Sequence, residues 1–152
     1  LTLKLGDEIV AIEAEHVREI LDLVPVTQVP GASEFSAGLI NVRGRVVPLA
    51  DLRVAFGMRP QPETEDTRII VIESEIEREP TIVGILADKV YDVTDIDAAS
   101  IEDVPRVGTR WPADYVSGIG KRNGQFIIIP NLKQIFENED RQARNTKSGR
   151  AA

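Results

Sequence analysis

The sequence predicts a mainly β protein made of two small five-stranded β-barrels with short helices. Three observations carry this reading. Apolar and polar residues alternate around glycine-containing turns, the pattern recurs once along the chain, and each half is short. Roughly 65 residues with about five short strands is too little for a sandwich and suits a small closed barrel.

In chain order, LTLKL and EIVAIE flank Gly6-Asp7, and period-2 alternation around such a pair predicts a hairpin with a positive-φ turn. In AEHVREIL, Val17, Ile20 and Leu21 fall at i, i+3 and i+4, which predicts one stripe of a short helix. Pro25 and Pro30 bracket an extended segment. In residues 37–57, Leu39 to Val42 and Val46 to Leu49 flank Arg43-Gly44-Arg45, a tight hairpin. Asp51 then caps a short helix and Gly57 stands at its C-terminal end. The polar, acidic stretch at 58–67 holds two prolines and reads as the boundary between halves.

Beyond that boundary the pattern returns. At a shift of 73 residues, Ile9, Val10, Ile12, Ala14 and Val17 lie over Ile82, Val83, Ile85, Ala87 and Val90. At a shift of 80, Gly38, Gly44, Leu52 and Phe56 lie over Gly118, Gly124, Leu132 and Phe136, and the cap Asp51 over Asn131. Each copy reads as strands, a polar connector, a hairpin and a closing helical turn. The expected organisation is a folded domain at 1–136, with one barrel in 1–66 and the other in 67–136 and a groove between them. A polar tail at 137–152, without apolar periodicity, is expected to be disordered.

Composition narrows the chemistry. The 152 residues contain no cysteine and one histidine, His16, which excludes thiol nucleophiles, Cys-ligated metals and two-histidine metal sites. A formal net charge of −7 argues against nucleic acid, whose binders release counterions with a basic face. No apolar run approaches the ~20 residues that span a bilayer. No signal peptide is visible, so a cytosolic protein is expected, although the chain opens at Leu1 without a methionine.

The remaining candidates are weighed residue by residue. Gly118-Ile119-Gly120-Lys121 lacks the Ser or Thr and the glycine spacing of a phosphate loop. Asp88, Asp92, Asp95 and Asp97 read as a solvated strand edge; a carboxylate-dependent hydrolase would need one pocket around Asp88 and Asp92. His16 reads as a surface or half-buried side chain, and Ser33 and Ser36 lie outside any G-x-S-x-G. Trp111 in GTRWP suits either an interaction anchor or half-buried packing. Glu19, on the expected helix, and Arg43, heading the hairpin, form the most telling pair. A guanidinium there offers a planar fork to a carboxylate or carbonyl, either within the fold or at the rim of the groove.

LINVRGRVVPLADLRVAFG is similar to the central signature of the CheW family of chemotaxis coupling proteins, of the form G-x-I-N-L-R-G-x-x-x-P-x-x-D-L. IVGILADKVYDV resembles a second signature and SGIGKRNGQFIIIPNLKQIF the closing segment, so the resemblance covers residues 1–136. Val42 replaces the commoner leucine, Asn131 replaces the usual aspartate, and Trp111-Pro112 and the tail have no counterpart. The resemblance implies SH3-like barrels, no catalysis and no cofactor. It implies a cytoplasmic adaptor, monomeric alone, that joins methyl-accepting chemoreceptor tips to the histidine kinase CheA in membrane-associated arrays without inserting into the membrane. It places the receptor tip in the groove between barrels, against Val17, Glu19, Gly38, Arg43 and Val93. The kinase contact, on the surface of the second barrel, implicates Gly84 and Gly118. A regulatory domain excised from a kinase or receiver fusion is the alternative.

Overall fold

The computed structural model describes residues 1–105 and 111–151. Ten strands form two five-stranded sheets, each curled into a barrel. The strands are β1 (Thr2–Leu5), β2 (Glu8–Ala11), β3 (Val17–Asp22), β4 (Ser36–Val42), β5 (Arg45–Ala50), β6 (Arg68–Ile76), β7 (Glu79–Ala87), β8 (Lys89–Val90), β9 (Val116–Arg122) and β10 (Gln125–Pro130). Helix α1 is Leu52–Ala55, and α2 runs over Leu132–Ala151. The terminal barrel has the order β8-β1-β2-β10-β9 and the central barrel β3-β6-β7-β5-β4.

These orders become identical when β1-β2 is matched to β6-β7, β3 to β8, β4-β5 to β9-β10 and α1 to α2. The repeat is therefore real, but its copies are not the barrels. Each unit gives its first hairpin to one barrel and its next three strands to the other. The expected division into a barrel at 1–66 and a barrel at 67–136 is thus corrected: the central barrel draws β3–β7 from one continuous stretch, and the terminal barrel collects both ends of the fold. The chain crosses between barrels at the 3-10 turn Ala14–His16 and again at Asp88. One-residue alternation makes the swap possible, since a strand with two apolar faces serves a barrel interior and a second core at once.

Strand β6 shows this division. Ile69 and Val71 point into the central barrel with Ile40, Val47 and Leu49, whereas Ile70 and Ile72 join a larger cluster outside it. That larger cluster is the seam between barrels. Leu3, Leu5, Val10, Ile12 and Ile128 of the terminal barrel meet Ile70, Ile72, Val83 and Ile85 of the central one, under Phe56 from the α1 end and Ile135 and Phe136 from α2. Trp111 packs half-buried against the same seam, its packing rather than its anchor reading; the preceding Gly108, Thr109 and Arg110 lie outside the described residues.

The hairpins follow their turn chemistry. Arg43-Gly44 has φ of 52° and 82° and Asn123-Gly124 has 50° and 76°, the left-handed pair that two-residue turns require. Asn41 Oδ1 accepts from the Gly44 backbone N–H at 2.8 Å, so the Asn and Gly of the N-x-R-G signature build the turn. Asp51 caps α1 by accepting from the Arg53 backbone N–H, and Asn131 Oδ1 accepts from that of Gln134 at the start of α2.

Two local expectations are corrected. The segment AEHVREIL forms one 3-10 turn and strand β3, because a sheet edge beside β6 is open to it and the spacing of three apolar residues fits either period. The tail is not disordered: α2 continues through residues 137–151. Its first turns are anchored by buried Leu132, Ile135 and Phe136 and by Tyr115, whose hydroxyl donates to Glu139 Oε1 at 2.9 Å. Propagation from an anchored nucleus costs little, which is what apolar periodicity alone does not report.

Candidate functional site

The central barrel closes where its edge strands β3 and β4 approach. Thr27, beyond β3, pairs with Leu39 of β4, and Arg43 Nη2 donates to Glu19 Oε1 at 2.9 Å. A β-bulge decides the direction of Glu19. Val17 pairs with Ile72 and Glu19 with Val71, leaving Arg18 as the extra residue, so Val17 packs on the seam while Glu19 turns to the barrel mouth. Arg18 pairs with Glu73 beside it. The result is a cavity of about 420 Å³ whose apolar floor of Val42, Val47, Val71 and Ile82 is ringed by Arg18, Glu73, Glu19, Arg43 and Arg45. Arg43 is 81% exposed, so its pair with Glu19 adds about 0–1 kcal/mol to stability. What the pair does is hold a guanidinium over an apolar hollow.

The repeat reproduces this mouth in the terminal barrel, in a cavity of about 390 Å³. Tyr91 stands for Arg18, Asp92 for Glu19, Asn123 for Arg43, Gln125 for Arg45, Ile9 for Ile82 and Ile127 for Val47. Thr2 and Arg122 take the places of Val71 and Val42, so half of the apolar floor is lost, and Asp92 and Arg122 are the charged residues of that lining. The charge ring therefore belongs to the central barrel.

The expected receptor residues divide. Glu19 and Arg43 come together at the mouth of the central barrel. Val17 lies beside them on β3, partly buried against the seam. Val93 follows β8 on the terminal barrel and is 69% exposed. Gly38 is buried, with φ of 140°, and an added Cβ would stand 2.6 Å from Thr27 O and from Val26 Cγ1.

Gly118 is its counterpart. A Cβ there would stand 2.6 Å from Ile101 Cγ2, where Glu102 pairs with Ile119 to close the terminal barrel. Gly84 sits on β7 with Ile69 Cγ2 and Leu49 Cδ1 both 3.2 Å from an added Cβ. Gly84 and Gly118 thus belong to different barrels and are both buried, which corrects their placement on one barrel's surface. Glycine at 38 and 118 is explained by the close approach of the closing connector.

The aspartates are also resolved. Asp88 is not solvated: its Oδ1 accepts from Arg53 Nη1 at 2.8 Å and its Oδ2 from the Gly6 N–H at 2.7 Å. Arg53 also donates to both oxygens of Asp51. The hydrogen bonds and field of Asp51, with those of Asp88, hold the Arg53 guanidinium above its ordinary value against the cost of burial. Asp97 Oδ1 accepts from the Ala99 N–H. Asp92 lies in the terminal mouth cavity and Asp88 in the Arg53 cluster, so no described pocket encloses the pair. His16 is half-buried, as expected, with Nδ1 3.2 Å from Glu73 O. The sequence reading missed Arg18, Arg45, Glu73 and Arg53; Arg53 alone left a signal, two residues from the cap Asp51.

The described residues thus form a charge-ringed apolar mouth on a barrel interlocked with its own repeat. The CheW-like domain family matches residues 1–140, and the chain belongs to that family. It is 27% identical over 143 residues to the chemotaxis protein CheW of Rhizobium meliloti (strain 1021), covering 94% of this chain and 90% of that one. With the chemotaxis protein CheW of Bacillus subtilis (strain 168) it shares 30% identity over 135 residues, covering 88% and 83%. The crystal structure of the scaffolding protein TtCheW from Thermoanaerobacter tengcongensis superposes with a TM-score of 0.80 at 34% identity, covering 90% of this chain and 85% of that one. Among the described residues, no helix is long and apolar enough to cross a membrane.

Proposed function

We propose that this chain is a non-enzymatic cytoplasmic adaptor that couples chemoreceptor cytoplasmic tips to a CheA-type histidine kinase. The observation that carries the reading is the mouth of the central barrel, where an apolar floor lies under the Glu19–Arg43 pair. An amphipathic helix recognises such a surface by seating apolar side chains while polar neighbours engage the rim. Val17 and Gly38 serve by shaping β3 and the barrel closure, and Val93 extends the contact onto the terminal barrel. Gly84 and Gly118 support the kinase contact indirectly, by fixing the curvature of each barrel. Coupling is then a difference in binding free energy between kinase-active and kinase-inactive assemblies. The Rhizobium meliloti and Bacillus subtilis relatives are both chemotaxis protein CheW, which does not favour the excised regulatory domain.

Calorimetric titration of the chain with a receptor cytoplasmic fragment and, separately, with a CheA regulatory domain tests the proposal. Saturable one-to-one binding of each is expected. Arg43→Glu places like charge against Glu19 and should weaken receptor binding at least tenfold, about 1.4 kcal/mol, with melting temperature and kinase binding unchanged. Unchanged receptor affinity in the folded variant removes the mouth from the receptor site. A flat trace with both partners overturns the adaptor reading.

A further inference from the structure

The chain leaves the terminal barrel at Ala11 and enters the central one at Val17, and the 3-10 turn Ala14–His16 makes the crossing. The His16 backbone N–H donates to the Glu13 carbonyl at 3.0 Å, and the i, i+3 spacing sets the two side chains on one side of the turn. The Glu13 side chain, at the N-cap, makes no capping hydrogen bond. A carboxylate oxygen of Glu13, one of Glu15 and a ring nitrogen of His16 all lie within 4.8 Å of one another.

The imidazole is held from behind, with Nδ1 3.2 Å from Glu73 O on β6. A carbonyl only accepts, which assigns the hydrogen to Nδ1 and turns the Nε2 lone pair of the neutral ring towards Glu13. Nε2 and Glu13 Oε2 are 3.4 Å apart. Two lone pairs facing each other call for a cation between them. A proton would draw such a pair to the roughly 2.7–2.9 Å of a charge-assisted hydrogen bond. The observed separation is that of two ligands on a tetrahedral ion, whose edge is about 3.4 Å for bonds of about 2.0–2.1 Å.

We propose that Glu13, Glu15 and His16 bind one zinc-class dication at the crossing between the barrels. The donors select the metal: an imidazole nitrogen with two carboxylates suits zinc and its first-row neighbours, whereas magnesium and calcium take shells of oxygen. Three protein ligands and a water complete a tetrahedron, and the Glu73 carbonyl supplies the outer support that orients a ligating imidazole. Glu75 and Lys133 line the hollow on the His16 side, and Asp95 the hollow on the Glu15 side. Two carboxylates against one ammonium leave these surroundings acidic. The bound ion pins the step from β2 to β3, and the inference does not depend on what the barrel mouth binds.

The test uses the full chain without a histidine tag, and zinc chloride as the probe. Calorimetry should show one saturable site that an excess of magnesium does not displace, and the melting temperature should rise with zinc until the site is full. The chain has a single histidine, so its imidazole signals are assigned at once by NMR, and zinc should shift them until one equivalent has been added. His16→Gln, Glu13→Gln and Glu15→Gln should each weaken binding at least tenfold. Glu79→Gln, at an exposed carboxylate on β7, should leave it unchanged. Affinity should fall on acidification, as a proton competes for Nε2. Absence of a one-to-one site, displacement by magnesium, imidazole signals that zinc does not move in the wild type, or equal affinity in the wild type and H16Q overturns the proposal.

Discussion

Arg53 sits between Asp51 and Asp88, with Nε 2.9 Å from one carboxylate and Nη1 2.8 Å from the other. All three side chains are largely buried, so removing the cation leaves two carboxylates facing each other in a poor dielectric. Arg53→Met should cost about 3–5 kcal/mol in urea unfolding, the penalty of breaking rather than replacing a buried ion cluster. Burial likewise holds the Tyr115 hydroxyl above the ordinary tyrosine value of 10.0. The unfolded chain ionises first, so this contribution is intact below about pH 10 and is lost as pH rises through the folded value. Denaturation midpoints should fall as pH rises above about 10, and Tyr115→Phe should flatten that fall.

Among the elements, the β6–β7 hairpin is the one whose turn contradicts its conformation. Glu77 and Arg78 have φ of 50° and 67°, in the region the other hairpin turns fill with at least one glycine. Left-handed backbone costs a side-chain-bearing residue roughly 1–2 kcal/mol. Arg78→Gly should therefore raise stability by about 1 kcal/mol, read as a higher melting temperature with receptor and kinase binding unchanged. The bulge in β3 shows the same scale acting on function: were β3 regular through Arg18, Val17 and Glu19 would share a face and the carboxylate would meet the seam.

At the scale of the molecule, the swapped repeat makes the two barrels one cooperative unit. Neither residues 1–66 nor residues 67–152 contain all five strands of either barrel. Expressed apart, each piece should be unfolded by circular dichroism; mixed, they should regain strand signal and a single unfolding transition. Independent folding of either piece would refute the interlocked architecture.

The sequence by itself determined the β class, the hairpins at Gly6, Gly44 and Gly124, the caps at Asp51 and Asn131, the repeat, and Glu19 and Arg43 as the pair to watch. Each of these is local, set by periodicity two, by left-handed turn residues or by a side chain reaching its own neighbours. Tertiary structure alone decided the rest. AEHVREIL became a strand because a sheet edge was open to it, and the tail became helix because its first turns were anchored on the seam. Asp88 left solvent because Arg53, far from it in sequence, was folded against it. The glycines at 38 and 118 leave clearance for a passing connector. Above all, a repeat reports which segments are alike and not which pair with which. The swap between barrels is a choice among ladders that alternation satisfies equally, and only the apolar seam, assembled from both copies, selects between them.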